Sequence, residues 1–135
     1  VISKFIELGL AGKPISIAGD GLQYRKFVHV SDLARGNVLA LNPSAENQIY
    51  NLEGDEKVTI KQLAEWVKQH VNPSIEIQYT PSREGDFKGA EISNEKARRE
   101  IGWKPEIDFL TGLKQVIEEK KQEIDNERFP AILSA

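Results

Sequence analysis

The run from residue 59 to residue 71 constrains the fold more than any other part of this sequence. Thr59 is followed three positions later by Gln62, a capping-box pattern in which each side chain bonds a backbone N–H of the other residue. Apolar residues then follow the i, i+3, i+4, i+7 spacing of one helix face: Ile60, Leu63, Ala64, Val67 and Val71. We therefore expect an amphipathic helix whose apolar face the rest of the chain must cover.

Helical and strand patterns alternate along the remainder of the chain. Helix patterns cover four further segments: 1–11, 31–42, 94–101 and the residues after Asp108. Strand patterns cover four short segments: 15–18, 26–30, 48–52 and 75–79. This alternation predicts the α/β class, with short strands and flanking helices. We predict one domain over residues 1–123 and a C-terminal tail over 124–135 that is extended or disordered.

Composition narrows the classes of function. The 135 residues are the size of one domain, and a net charge of −3 gives little attraction for nucleic acid. There is no cysteine, and the two histidines lie far apart, so neither a disulfide nor a metal site is expected. No apolar run approaches the ~20 residues of a membrane span, and no signal-peptide pattern is present, so a cytoplasmic location is the default. The chain lacks methionine and begins within a helical pattern, so we expect it to be part of a longer protein.

Two polar segments carry the functional information. The first runs from Gly19 to Ala34, with Arg25 shortly after a Gly-Asp-Gly turn. The second is Arg83-Glu84-Gly85-Asp86, which precedes Ile101-Gly102-Trp103-Lys104-Pro105. From chemistry alone, a surface salt bridge and a solvated loop are the commoner explanations. In this order, however, the segments resemble the C-terminal, nucleotide-sugar-binding half of the extended short-chain dehydrogenase/reductases, nearest the UDP-glucose 4-epimerases.

The resemblance implies roles for residues in both segments. Arg25 and Arg83 would bind the diphosphate, for which the planar guanidinium fork is suited. Phe27 would line the nucleotide pocket, and Asp86 would accept hydrogen bonds from the ribose. The substrate is therefore expected to be a UDP-sugar or another nucleotide-sugar.

Several positions depart from the pattern of the family. The strand over 15–18 would line the base pocket, but Ala18 stands where many relatives carry an aromatic residue that packs on the uracil. We expect base affinity or base choice to differ here, with Ser16 or Ile17 compensating. Lys26 replaces the usual aspartate, and it either strengthens the attraction for the diphosphate or faces water.

The signatures of a catalytic half are missing from this sequence. No Gly-x-x-Gly-x-x-Gly follows a strand, and none of the tyrosines has a lysine four positions later. His29 and Asp32 are interpreted as structural residues, so we assign no catalytic residue. The resemblance implies that NAD and the catalytic residues belong to an N-terminal Rossmann domain outside this chain, and that this chain alone is inactive and binds no NAD.

The expected function is therefore the substrate-binding portion of an NAD-dependent sugar-nucleotide epimerase. Its partners would be the nucleotide-sugar and the Rossmann domain, and a homodimer stays open. Two alternatives remain. The same domain could serve a 4,6-dehydratase, a decarboxylase or a reductase, or it could be a non-catalytic sugar-nucleotide-binding or interaction module.

Overall fold

A computed structural model describes residues 1–82, 85 and 88–128. Its helices are α1 (Ile2–Leu10), α2 (Val30–Leu39), α3 (Ile60–Val71), α4 (Glu95–Ile101) and α5 (Phe109–Arg128). Its strands are β1 (Ile15–Ala18), β2 (Tyr24–Arg25), β3 (Val58–Thr59) and β4 (Ile77–Thr80), and a short 3-10 helix covers Pro43–Ala45. The predicted α/β class is confirmed.

The strands form two small pairs. β1 lies parallel to β4, with Ile15 opposite Ile77 and Ala18 opposite Thr80. β2 lies antiparallel to β3, with Arg25 opposite Val58. Along β1, Ile15 and Ile17 are buried while Ser16 is exposed, as the two-residue alternation of a strand requires.

The main core lies between β1 and the helices α1, α3 and α5. Its fully buried apolar side chains include Ile6, Ile15, Ile17, Leu63 and Val67. A smaller core surrounds Trp103, which is completely buried and packs with Ala97 and Ile101 of the α4 region. The indole Nε1 of Trp103 donates a hydrogen bond to the Asp32 carbonyl (2.7 Å), so this second core also fixes α2.

Local contacts stabilise three of the predicted helix boundaries. The backbone N–H of Gln62 donates to Thr59 Oγ1 (3.1 Å), and the N–H of Thr59 donates to Gln62 Oε1 (3.0 Å), which completes the capping box. Gly102 ends α4 with φ +67°, in the left-handed region that glycine adopts without strain. Asp108 Oδ1 accepts from the N–H of Thr111 (2.9 Å) at the start of α5.

Two predicted strands are wrong. In place of a strand over 26–30, β2 ends at Arg25 and α2 already begins at Val30. The N-cap is His29, whose Nδ1 accepts from the N–H of Ser31 (3.3 Å). Residues 48–52 form no strand, and Ile49 there is 85% exposed.

The C-terminal helix is longer than the sequence pattern suggests. α5 passes the predicted start of the tail at residue 124 and continues to Arg128, so the domain boundary itself stays a prediction. Within the part of the chain that the structure describes, no helix is both long and apolar enough to cross a bilayer.

Candidate functional site

Two clefts meet beside the carboxyl end of β1. The first, here called the Arg25 cleft, has a volume of about 590 Å³ and is lined by residues that include Ser16, Ile17, Ala18, Gln23 and Arg25. The second, here called the Lys88 cleft, has a volume of about 740 Å³ and is lined by residues that include Ala18, Gln23, Tyr24, Ser82, Gly85 and Lys88. The segment between β1 and β2 therefore forms the wall between the two clefts.

A glycine turn brings the two strands to the same site. Gly19 and Gly21 have φ values of +71° and +74°, a conformation that other residues rarely adopt. Between them, Asp20 Oδ1 accepts from the N–H of Leu22 (2.9 Å) and closes the turn. A Cβ on Gly21 would lie 3.1 Å from Ile17, so the turn also packs closely on β1.

The structure brings three of the predicted site residues together. Ser16, Ala18 and Arg25 all line the Arg25 cleft. Arg25 is half-buried, and its Nη1 donates to the Tyr24 carbonyl (2.7 Å), which holds the guanidinium along the strand. A cation, a small side chain and a hydroxyl thus border one cavity, an arrangement suited to a phosphate-bearing ligand.

Of the other three predicted residues, the structure describes only Phe27. Phe27 stacks on Phe109 of α5, with ring centroids 5.0 Å apart, and packs against the main core. It lines neither of the two clefts. Arg83 and Asp86 lie outside the described residues, so their roles remain predictions.

Lys26 lies neither at a cleft nor in open solvent, so its position differs from both alternatives drawn from the sequence. Its Nζ lies 3.2 Å from Glu53 Oε1 and donates to the Ile92 carbonyl (3.1 Å). The side chain is only 15% exposed and lines neither cleft. Lys26 therefore joins three chain segments through an internal ion pair, and the replacement of the usual aspartate is matched here by Glu53.

Tyr24 contacts residues 88–91, which follow the loop predicted to bind the substrate. This role of Tyr24 was not identified from the sequence. Its N–H donates to the Lys88 carbonyl (3.0 Å), and its hydroxyl donates to Glu91 Oε1 (2.8 Å). Lys57 pairs with the same carboxylate and lies 5.0 Å from the centre of the Tyr24 ring. A Cβ on Gly89 would approach that ring to 2.4 Å, so only glycine fits there.

Charge in this cluster is balanced. Hydrogen bonds from Lys57 and then Tyr24 lower the pKa of the Glu91 carboxyl, and the bond to Glu91 in turn raises the pKa of the Tyr24 hydroxyl. The cluster therefore holds residues 88–91 next to β2 with an ionised carboxylate. In the sequence, the only indication of this cluster was that Tyr24 stands next to Arg25.

Asp32 is a structural carboxylate, as the sequence predicted. It is 2% exposed, and it accepts hydrogen bonds from Arg35 Nη2 (2.7 Å) and from the N–H groups of Glu106 (3.0 Å) and Ile107 (3.1 Å). Burial by itself raises the pKa of Asp32, but these bonds together outweigh it and leave the pKa below its ordinary value. In the described part of the chain, no group of three or more His, Asp or Glu residues could hold a metal ion.

Known proteins are similar to this chain in sequence and in fold. The family model for GDP-mannose 4,6 dehydratase matches residues 1–116. A putative UDP-glucose 4-epimerase of Methanocaldococcus jannaschii is 37% identical over 117 residues, which is 87% of this chain and 37% of that protein.

Solved structures resemble the fold closely. The UDP-glucose 4-epimerase of Thermotoga maritima, determined with UDP-glucose, superposes with a TM-score of 0.83 at 30% identity and covers 91% of this chain and 40% of that one. The UDP-glucuronic acid 4-epimerase of Bacillus cereus, in complex with UDP-glucuronic acid and NAD, gives a TM-score of 0.82 at 26% identity, with 90% and 40% covered. The chain thus spans about two fifths of the length of the relatives it matches.

Proposed function

Since this chain belongs to the GDP-mannose 4,6 dehydratase family, within the extended short-chain dehydrogenase/reductases, we propose that it is the UDP-sugar-binding portion of an NAD-dependent sugar-nucleotide epimerase. The observation that carries the proposal is the convergence of Ser16, Ala18 and Arg25 on one cleft. The Thermotoga maritima relative, whose structure contains UDP-glucose, supports the choice of ligand.

Arg25 supplies the charge that a diphosphate requires. A guanidinium carries five N–H donors in a fixed fork, and one Nη1 donor is used by the Tyr24 carbonyl, which orients the group along β2. A charge-assisted hydrogen bond from such a group to phosphate is worth roughly 1.5–3 kcal/mol. β1, with Ser16 and Ala18, forms the wall against which the base would lie.

Described residues in and beside the second predicted segment line the neighbouring cleft. Ser82, Gly85 and Lys88 line the Lys88 cleft, which shares its wall with the Arg25 cleft. Because these residues flank Arg83 and Asp86 in sequence, we assign those two residues to the diphosphate and the ribose. The contacts of Tyr24 with Lys88 and Glu91 would keep this loop near the ligand.

NAD does not fit the residues of this chain. A dinucleotide loop joins a strand to a helix through glycines, so that the pyrophosphate meets the helix N-terminus. Here the glycine turn after β1 leads to another strand, β2. We therefore assign NAD and the hydride chemistry to the remainder of the parent protein. The Bacillus cereus relative, whose structure contains NAD, supports the choice of cofactor.

An exposed apolar stripe on α2 supports a partner domain. Val30, Ala34 and Val38 recur at helical spacing on α2, Leu41 follows just after its end, and all four are exposed. Soluble monomers seldom expose apolar patches of this kind. We assign this stripe to contact with the Rossmann domain of the parent.

One other function within the family has a specific observation in its favour. The matching family model is that of a 4,6-dehydratase, so the same domain would equally serve a dehydratase that binds a nucleotide-sugar. Comparing the products formed from UDP-glucose by the full-length protein separates a 4-epimer from a 4-keto-6-deoxy sugar.

Calorimetric titration of the full-length protein tests the binding proposal. Arg25→Ala should weaken UDP binding by roughly ten- to a hundredfold and leave NAD affinity unchanged. Arg25→Lys should rescue only part of the loss, because lysine lacks the planar fork. Arg99→Ala, which removes an exposed arginine of α4, is the matched control and should bind UDP like the parent. If Arg25→Ala binds UDP with parental affinity, the assignment of this cleft is wrong.

A further inference from the structure

Ala18 and Gln23 lie between the two clefts. Among the residues that the structure describes, these two line both the Arg25 cleft and the Lys88 cleft. Ala18 is too small to stack on a base. Ile17 cannot compensate through its side chain, because it is only 1% exposed and belongs to the main core. The Gln23 side chain, in contrast, is polar and contacts the backbone of Ala18, where the stacking group is missing.

The carboxamide of Gln23 has a fixed orientation. Its Nε2 donates to the Ala18 carbonyl (3.1 Å), and its own backbone carbonyl accepts from the N–H of Ile60 (3.0 Å). A carbonyl can only accept, so the nitrogen must face Ala18, and Oε1, which lies in the same amide plane, points in a different direction. No residue in the described ranges donates a hydrogen bond to Oε1.

We infer that Gln23 recognises the base of the nucleotide through its carboxamide, in place of the aromatic stacking that Ala18 cannot provide. This inference rests on the proposed function. Oε1 is an acceptor, and a second N–H on Nε2 remains after the bond to Ala18. This donor–acceptor pair matches the imide edge of uracil, where an N–H donor adjoins a carbonyl acceptor.

Cytosine held in the same pose is disfavoured. The ring nitrogen that carries a hydrogen in uracil is an acceptor in cytosine, so two lone pairs would face each other across the contact. A site that bonds a ligand N–H rejects an analogue without it, because the polar group of the protein is then left unpaired. Gln23 therefore selects the base, while Arg25 binds the diphosphate that both nucleotides share.

Titration of UDP and CDP against the full-length protein tests this division of roles. The parent should prefer UDP, and Gln23→Leu should lower UDP affinity roughly tenfold while CDP affinity stays the same. Gln23→Met, which keeps the length of the side chain, should give the same result and covers the case in which the leucine variant does not fold. Gln115→Met, at an exposed position on α5 away from both clefts, is the control and should retain the parental preference.

The outcomes separate this inference from the function on which it rests. If both Gln23 variants lose UDP and CDP affinity equally, or lose neither, the ratio is unchanged and the inference is overturned while the UDP-binding proposal stands. If the parent protein binds no UDP at all, the proposed function fails and the inference fails with it.

Discussion

Replacing Asp32 with asparagine should destabilise this domain strongly, because its carboxylate is buried and hydrogen-bonded on both oxygens. The carboxylate accepts a hydrogen bond from Arg35 on one oxygen and two backbone N–H bonds from Glu106 and Ile107 on the other. An asparagine can offer its oxygen to only one of these sides. Its NH2 group must then face either the Arg35 guanidinium or the two backbone N–H groups, so that hydrogen-bond donors face each other without an acceptor.

The magnitude follows from these contacts. Keeping the oxygen toward Glu106 and Ile107 sacrifices the Arg35 bond and the charge pair, and hydrogen bonds to charged groups contribute about 1.5–3 kcal/mol each. Because the Asp32 side chain is almost fully buried, breaking the pair should cost about 2–4 kcal/mol in total. For a domain of this size, that lowers the melting temperature by about 6–16 °C.

Thermal and urea unfolding followed by circular dichroism measure this loss. Asp108→Asn is the control, because Asp108 is an exposed N-cap whose bond to Thr111 an asparagine can also make, so it should cost much less stability than Asp32→Asn. Equal stability of the two variants would refute the argument that Asp32 is a buried, fully bonded carboxylate.

The pH dependence provides a second measurement. The pKa of Asp32 in the folded state lies below its unfolded value, so its stabilisation is present above about pH 4 and is lost as the pH falls through the folded pKa. Asparagine does not titrate. The stability difference between the parent and Asp32→Asn should therefore be larger at pH 7 than at pH 3, and a difference that grows on acidification would contradict the assignment.

Three further changes test other contacts. Gly54→Ala should cost at least about 2 kcal/mol in urea unfolding, because the added Cβ would lie 1.8 Å from the Phe27 carbonyl oxygen and the backbone must move. Trp103→Phe should cost about 2–3 kcal/mol, since it leaves the Asp32 carbonyl without its buried donor; a cost below 1 kcal/mol would mean that this bond is replaced. The purified chain supplied with NAD should not turn over UDP-glucose, and product above a protein-free control would contradict the assignment of catalysis to the rest of the parent.

Local signals in the sequence predicted the elements that depend on local contacts. The capping box of Thr59 and Gln62, the left-handed Gly102 and the cap at Asp108 all join residues within a few positions of each other. Their chemistry is complete within the segment, so the pattern was sufficient. β1 was also predicted with its observed bounds, because Ile15 and Ile17 alternate with polar or small residues between turn signals.

Elements that depend on distant partners could not be predicted in the same way. Residues 48–52 have a strand-like pattern, but a strand requires a neighbour for its backbone groups. No described segment pairs with them, and Ile49 is left exposed. The ion pair of Lys26 with Glu53 spans 27 positions, and no periodicity in the sequence encodes it. Sequence reasoning therefore identified Lys26 as a departure without finding its partner.

Phe27 shows why a motif does not by itself place every residue in one site. Had β2 continued through residue 27, the two-residue alternation of a strand would have put Phe27 on the same face as Arg25. The strand instead ends at Arg25, and the extended chain that follows turns toward α5, where Phe27 packs on Phe109. Gly54 permits that path, since any side chain there would collide with the Phe27 carbonyl. Arg25, for which we propose diphosphate binding, and the aromatic residue two positions later thus belong to different surroundings, the first to a cleft and the second to the core.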